Sequence, residues 1–214
     1  METINNGDPL IAMKIKEGIL FVASKKDTAE LIDKCVFLTK IFLIEENIFC
    51  VITGSNPDAF VLIEHARVQA QYFKQNFKDI IPLKRILDII CEIKQKFTQT
   101  GKKRPFGASL LIGGFDAING FQIFRTEPSG NFSEWKAVAV GINSQENQTI
   151  LNQEYEDQMS LSQSLKTIIR IFAKKIRFAN LSKKIEILIL RTDDKRKVIL
   201  NSLTHHEIDS LIKK

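Results

Sequence analysis

Two pairs of amphipathic helices, set between runs of strand-forming sequence, constrain the fold of this chain more than any other feature. In the first pair, Asn56-Pro57 offers a cap and a first-turn proline. Ile63, Ala66, Ala70, Phe73 and Phe77 then keep the helical period, and beyond Pro82 the set Leu83, Ile86, Leu87, Ile90, Ile93 and Phe97 does the same. The second pair is a polar helix from Asn143 to Tyr155 and one opened by Ser160. In that helix Gln163 sits at the capping-box position, and the stripe is Leu161, Leu165, Ile168, Ile169, Phe172 and Ile176. Strand runs precede the first pair (Leu10 to Lys16, Ile19 to Ala23, Lys34 to Ile44, Ile48 to Gly54) and separate it from the second (Gly107 to Phe115, Phe121 to Thr126, Phe132 to Gly141). Lys184 to Leu190 and Lys197 to Asn201 follow, and a short helix from Thr204 has Glu207 at its box position. Strands in runs predict antiparallel sheets, and paired helices predict covered outer faces. The expected class is α+β: a four-layer α/β/β/α sandwich, one domain over residues 1–214.

Composition supports a folded chain, with 44% hydrophobic and 26% charged residues. No apolar run is long enough to span a bilayer, and METINNGDP has neither a basic start nor an apolar signal core. Cys35, Cys50 and Cys91 lie in apolar runs without CxxC spacing, which predicts buried reduced thiols rather than a metal site. Without a leader, the sequons at Asn131, Asn147 and Asn180 read as chance matches. The net charge of +6 is spread in small knots at Lys102-Lys103-Arg104, Lys174-Lys175-Arg177 and Lys183-Lys184. None is interleaved with aromatic residues, so a solvated basic surface is expected rather than a nucleic-acid footprint.

Catalytic signatures are scarce. GASLLIGG lacks GxGxxG spacing and opens no helix. Ser129 and Ser144 have no His or Asp pattern near them, and no GxSxG elbow occurs. His65 falls on a helix and His205-His206 on the first turn of another, so the histidines do not assemble. Lys40 is the sharpest anomaly, because it shares a strand face with Val36, Leu38, Phe42 and Ile44. An ammonium on such a face must snorkel, pair, or serve a function, and capture of a carboxylate beside a groove is one such function.

The layer order narrows to a sandwich of N-terminal nucleophile hydrolase type, and Gly101 to Gly141 then points to a family. KRPFGASLLIGGFD followed by FRTEPSGNFSEWKAVAVG resembles the signature of the α-type subunits of the 20S proteasome. Within it stand Arg104, Pro105, Phe106 and Gly107, the tight turn Pro128, Ser129 and Gly130, and Trp135-Lys136. The resemblance covers nearly the whole chain: EGILFVASKK is similar to the second strand, CVFLTKIFLIEENIFCVITGSNPDAFVLIEHARVQAQYF to the next hairpin and first long helix, EIKQKFTQTGKKRPFG to the helix and loop that follow. NGFQIF, the spacing to EPSGN and the terminal EIDSLIKK most resemble the third of the family's seven α positions. Glu127 stands where the family usually has Asp before Pro-Ser-Gly, which keeps the charge. The family's SPEGRLxQVEYA-like stretch, which builds the first helix and the gate over the pore, is expected to be missing from these residues, since METI falls where that helix is already under way.

The resemblance implies a non-catalytic ring subunit without cofactor or metal. Catalytic β-type subunits use a threonine nucleophile with an aspartate and a lysine, and the matching positions here are Asp8, Ser24 and Lys40. A lysine alone is not a hydrolase. In α-type subunits the matching lysine receives the C-terminal carboxylate of activator tails, so Lys40 is the implied pocket lysine. Implied partners are two α neighbours in a seven-membered ring, the β ring below, and a regulatory particle or other activators, with neither membrane nor nucleic acid. The implied work is forming the antechamber and entrance for ubiquitin-dependent protein breakdown in cytoplasm and nucleus. The rival readings are an active threonine-type hydrolase and a separate basic nucleic-acid-binding module.

Overall fold

The computed structural model describes residues 6–24, 40–101, 103–173, 184–193 and 198–212. Their strands are β1 (Leu10–Ile15), β2 (Gly18–Ser24), β3 (Ile41–Glu45), β4 (Ile48–Gly54), β5 (Ala108–Asp116), β6 (Gly120–Thr126), β7 (Phe132–Trp135), β8 (Ala137–Val140), β9 (Ile185–Thr192) and β10 (Val198–Ser202). Their helices are α1 (Asn56–Phe77), α2 (Leu83–Gln99), α3 (Ser144–Glu154), α4 (Leu161–Ala173) and α5 (His205–Ile212). The strands form two five-stranded sheets, ordered β10-β9-β2-β1-β8 and β3-β4-β5-β6-β7. Every pairing is antiparallel.

Strand alternation builds the layers. Leu10 and Ala12 of β1 and Phe49 and Val51 of β4 point into the space between the sheets, where they meet Phe21, Leu111, Ile123 and Val138. The intervening residues point outward. Ile11 and Met13 pack beneath Leu151, Leu165, Ile168 and Phe172 of α3 and α4, with Ile208 of α5. Ile48, Cys50 and Ile52 pack beneath Leu62, Ile63, Ala66, Ile86, Leu87 and Ile90 of α1 and α2. A period of two in each strand therefore feeds two cores at once, and the expected four-layer α/β/β/α sandwich is formed.

Three local expectations are corrected. Phe132 to Gly141 is not one strand: β7 pairs with β6 in one sheet, β8 pairs with β1 in the other, and Lys136 is the crossing residue. The N-cap of α1 is Ser55 rather than Asn56, with proline in the first turn and no side-chain cap bond. Phe77, expected on the buried stripe, is 67% exposed and stacks on Phe73 with ring centroids 4.5 Å apart. The capping boxes of α4 and α5 form as expected. Ser160 N–H donates to Gln163 Oε1 at 3.1 Å, and Thr204 N–H donates to Glu207 Oε2 at 2.7 Å. Residues 34–39 of the expected third strand, Cys35, Ile176, Asn180, Lys102 and the knots at 174–177 and 183 lie outside the described residues.

Candidate functional site

Asp8, Ser24 and Lys40, which the resemblance aligns with a threonine, an aspartate and a lysine, lie together at one end of the two sheets. Asp8 precedes β1 and is fixed on both sides. Ser24 N–H, at the end of β2, donates to Pro9 O at 3.1 Å, and Ile142 N–H, just beyond β8, donates to Gly7 O at 2.8 Å. Gly141 makes the second contact possible. Its φ is +91°, and a Cβ there would lie 2.2 Å from Asp8 O. Lys40 stands immediately before β3, and its carbonyl accepts Ile52 N–H at 3.1 Å. Only 8% of Lys40 is exposed, and its ammonium donates to Asp8 Oδ2. The anomaly seen in the sequence is thus resolved by pairing across the two sheets. Of its expected face, Phe42 and Ile44 pack against the α1/α2 core, while Val36 and Leu38 lie outside the described residues.

Chemically this arrangement is a carboxylate–ammonium pair, not a nucleophile and base. Asp8 nitrogen belongs to a peptide amide behind Gly7, so no α-amino base stands at that position. Its carboxylate accepts a hydrogen bond from the Lys40 ammonium, and it offers no hydroxyl for a base to activate. Ser24 faces Ile185 in the β2–β9 register, and it contributes its backbone to the Asp8 segment.

The signature residues do structural work. Arg104 grips Asp58, in the first turn of α1, through two bonds of 2.7 Å, and Gly107 N–H adds a third at 2.8 Å. Asp58 is 6% exposed, and the Arg104 hydrogen bonds hold its carboxyl below the ordinary range. Pro105 leads the chain inward so that Phe106 stacks on Phe97, centroids 4.6 Å apart. The Pro128-Ser129-Gly130 turn closes with Gly130 N–H on Glu127 O at 3.1 Å. Trp135 lies against the inter-sheet core and donates Nε1–H to Ser133 Oγ at 2.7 Å. Lys136 is exposed and pairs with Asp157 at 2.6 Å.

A test follows from the Asp58 cluster. Asp58→Ala removes the acceptor of Gly107 N–H along with the arginine pair, and is expected to cost about 2 kcal/mol in urea unfolding at pH 7. Because the folded carboxyl is the stronger acid, its contribution is complete above the unfolded value of 3.8 and is lost as pH falls through the lower folded value. The gap between wild type and Asp58→Ala should therefore narrow in acid, and a constant gap would contradict the assignment.

Other candidates stay apart. His65, His205 and His206 are exposed on α1 and α5. Among the described residues no group of three or more His, Cys, Asp or Glu side chains converges in a manner suited to a metal. Burial pushes the Cys50 thiol up to about 12 and Cys91 up to about 11, so neither is a ready thiolate. Sequence reasoning missed two residues. Asp58 carries no local signal, since its partner is 46 residues away. Lys94 does carry one: it falls four positions after Ile90 and seven after Leu87, on the apolar stripe, and it is fully buried.

Comparison with known proteins identifies a family. The proteasome subunit family model matches residues 4–190. Proteasome subunit alpha type-4 of Dictyostelium discoideum is 35% identical over 216 aligned positions, covering 100% of this chain and 86% of that protein. Proteasome subunit alpha type-4-A of Arabidopsis thaliana is 35% identical over 188 positions, 87% of this chain and 75% of the relative. The probable proteasome subunit alpha type-3 of Schizosaccharomyces pombe is 32% identical over 216 positions, 100% and 87% respectively. The family model matches most of the chain, and relatives covered over most of their length are α-type subunits, so the chain belongs to the proteasome subunit family, among the non-catalytic α-type members.

Proposed function

We propose that this α-type subunit sits in the seven-membered outer ring of the 20S core, between two α neighbours and above the β ring, and that Lys40 receives the C-terminal carboxylate of activator tails. The observation that carries the second half is the state of Lys40. Its ammonium is nearly desolvated and already holds a carboxylate oxygen, that of Asp8. A desolvated cation with fixed surroundings is what carboxylate capture requires. The ring placement is supported by α1, whose outer stripe leaves Val61, Val68 and Tyr72 exposed at 59%, 48% and 57%. Apolar side chains gathered on one helix face mark a surface that is covered in an assembly. On this reading the subunit shapes the antechamber and entrance, engages a regulatory particle or other activators, and works in cytoplasm and nucleus.

The test is Lys40→Ala in the assembled core particle. Tail capture at this subunit, followed by photo-crosslinking of an activator's C-terminal peptide, should weaken about tenfold or more, the loss expected for one charge-assisted bond. Native mass spectrometry should show the ring intact. Crosslinking to this subunit at unchanged affinity would overturn the assignment, and reading the crosslink here avoids masking by neighbouring pockets.

A further inference from the structure

We infer that Asp8 is a built-in competitor for the proposed pocket, a specificity-determining carboxylate that an incoming tail must displace from Lys40. The inference rests on the reading of Lys40 given above. Three observations support it. The Lys40 ammonium is occupied by Asp8 Oδ2, with side-chain exposures of 11% for the lysine and 21% for the aspartate. The Asp8 backbone is not a loose end. Ser24 N–H holds Pro9 O and Ile142 N–H holds Gly7 O, so the carboxylate is kept beside the lysine at high effective concentration. The lysine's carbonyl is likewise fixed to Ile52, so separation must come from side-chain rotation rather than from drift of the backbone.

A second carboxylate cannot simply join the pair. One ammonium between two carboxylates leaves a net negative charge in a poorly solvated place, and like charges at hydrogen-bonding range oppose one another. A tail therefore binds the fraction of molecules in which Asp8 has let go, and its apparent affinity falls by that fraction. Activators that bring several tails, or extra contacts near the carboxylate, overcome this loss. A single weak tail does not. The pocket is tuned to reject ligands that offer a carboxylate and little else.

Asp8→Asn keeps the size and one acceptor while removing the competing charge. In the assembled core particle, an activator's C-terminal peptide with a free carboxylate should crosslink to this subunit about three- to tenfold more tightly in Asp8→Asn than in wild type. The same peptide with an amidated C-terminus should not respond, and in a Lys40→Ala background the gain should vanish. Asp8→Ser is the second variant if the amide disturbs assembly, which native mass spectrometry reports. Unchanged or weaker binding in Asp8→Asn, with Lys40→Ala still weakening it, overturns the competition and leaves the pocket reading standing. Unchanged binding in Lys40→Ala, or equal binding of the amidated peptide, overturns the pocket reading and the competition with it.

Discussion

Gly130→Ala is expected to lower the melting temperature of the full chain by about 10 °C, equivalent to about 3 kcal/mol for a domain of this size. Two effects add. Gly130 closes the Pro128-Ser129-Gly130 turn with a φ of +92°, a conformation that costs a side-chain-bearing residue about 1–2 kcal/mol. A Cβ there would also lie 2.7 Å from Cys91 O and 2.9 Å from Gln95 N, both backbone atoms of α2. Helix backbone does not yield as a side-chain tip does. α2 is held by buried Leu83, Ile86, Leu87 and Ile90 and by the Lys94 ammonium on Ala108 O and Thr126 Oγ1. The turn must therefore lift from the helix, which uncouples β6 and β7 from the outer layer. Ser129→Ala, one residue earlier and exposed, should change the melting temperature by less than about 2 °C. A change that small in Gly130→Ala would show that the turn does not dock on α2 as described.

The turn, the capping boxes and the helix stripes were legible because each is a local pattern, complete within a few residues. Ser160 with Gln163, and Thr204 with Glu207, are recognisable at a spacing of three, and both form. Other features depend on distant partners. Phe132 to Gly141 has strand-forming character throughout, so alternation could not show that it changes sheets at Lys136. A composition shift was the available signal. Both segments end a sheet, but Phe132, Ser133 and Glu134 are exposed, while Ala137 to Val140 are buried between the α3/α4 core and the inter-sheet core. The sequence marked Lys40 as anomalous and aligned Asp8 with a nucleophile. That the two are partners required a contact across 32 residues. Family resemblance alone implies a role for the lysine without exposing the carboxylate paired with it.

Lys94 gives the second large effect, and it separates packing from charge. Its side chain is fully buried, so Lys94→Ala opens a cavity and is expected to cost about 2–4 kcal/mol. Lys94→Met keeps most of that volume and removes only the ammonium. Thr126 Oγ1 remains bonded in the variant, since it accepts Leu110 N–H and donates to Leu110 O, both at 3.2 Å. Burial pulls the Lys94 ammonium from the usual 10.5 down to about 8, with the Cys91 thiol and Glu127 acting in the opposite sense. The folded chain therefore binds this proton more weakly than the unfolded chain. Below about pH 8 both states hold the proton and the cost of burying charge is complete; between about 8 and 10.5 only the unfolded chain holds it, and stability rises; above that the cost is gone. Relative to Lys94→Met, the wild type should gain roughly 2 kcal/mol in urea unfolding between pH 7 and pH 9.5. Cys91 feels the Lys94 charge, but burial keeps its folded thiol protonated up to about 11, above this range, so its contribution is nearly the same in both proteins. A difference that stays flat across this range would mean that the Lys94 ammonium is not buried in the folded chain.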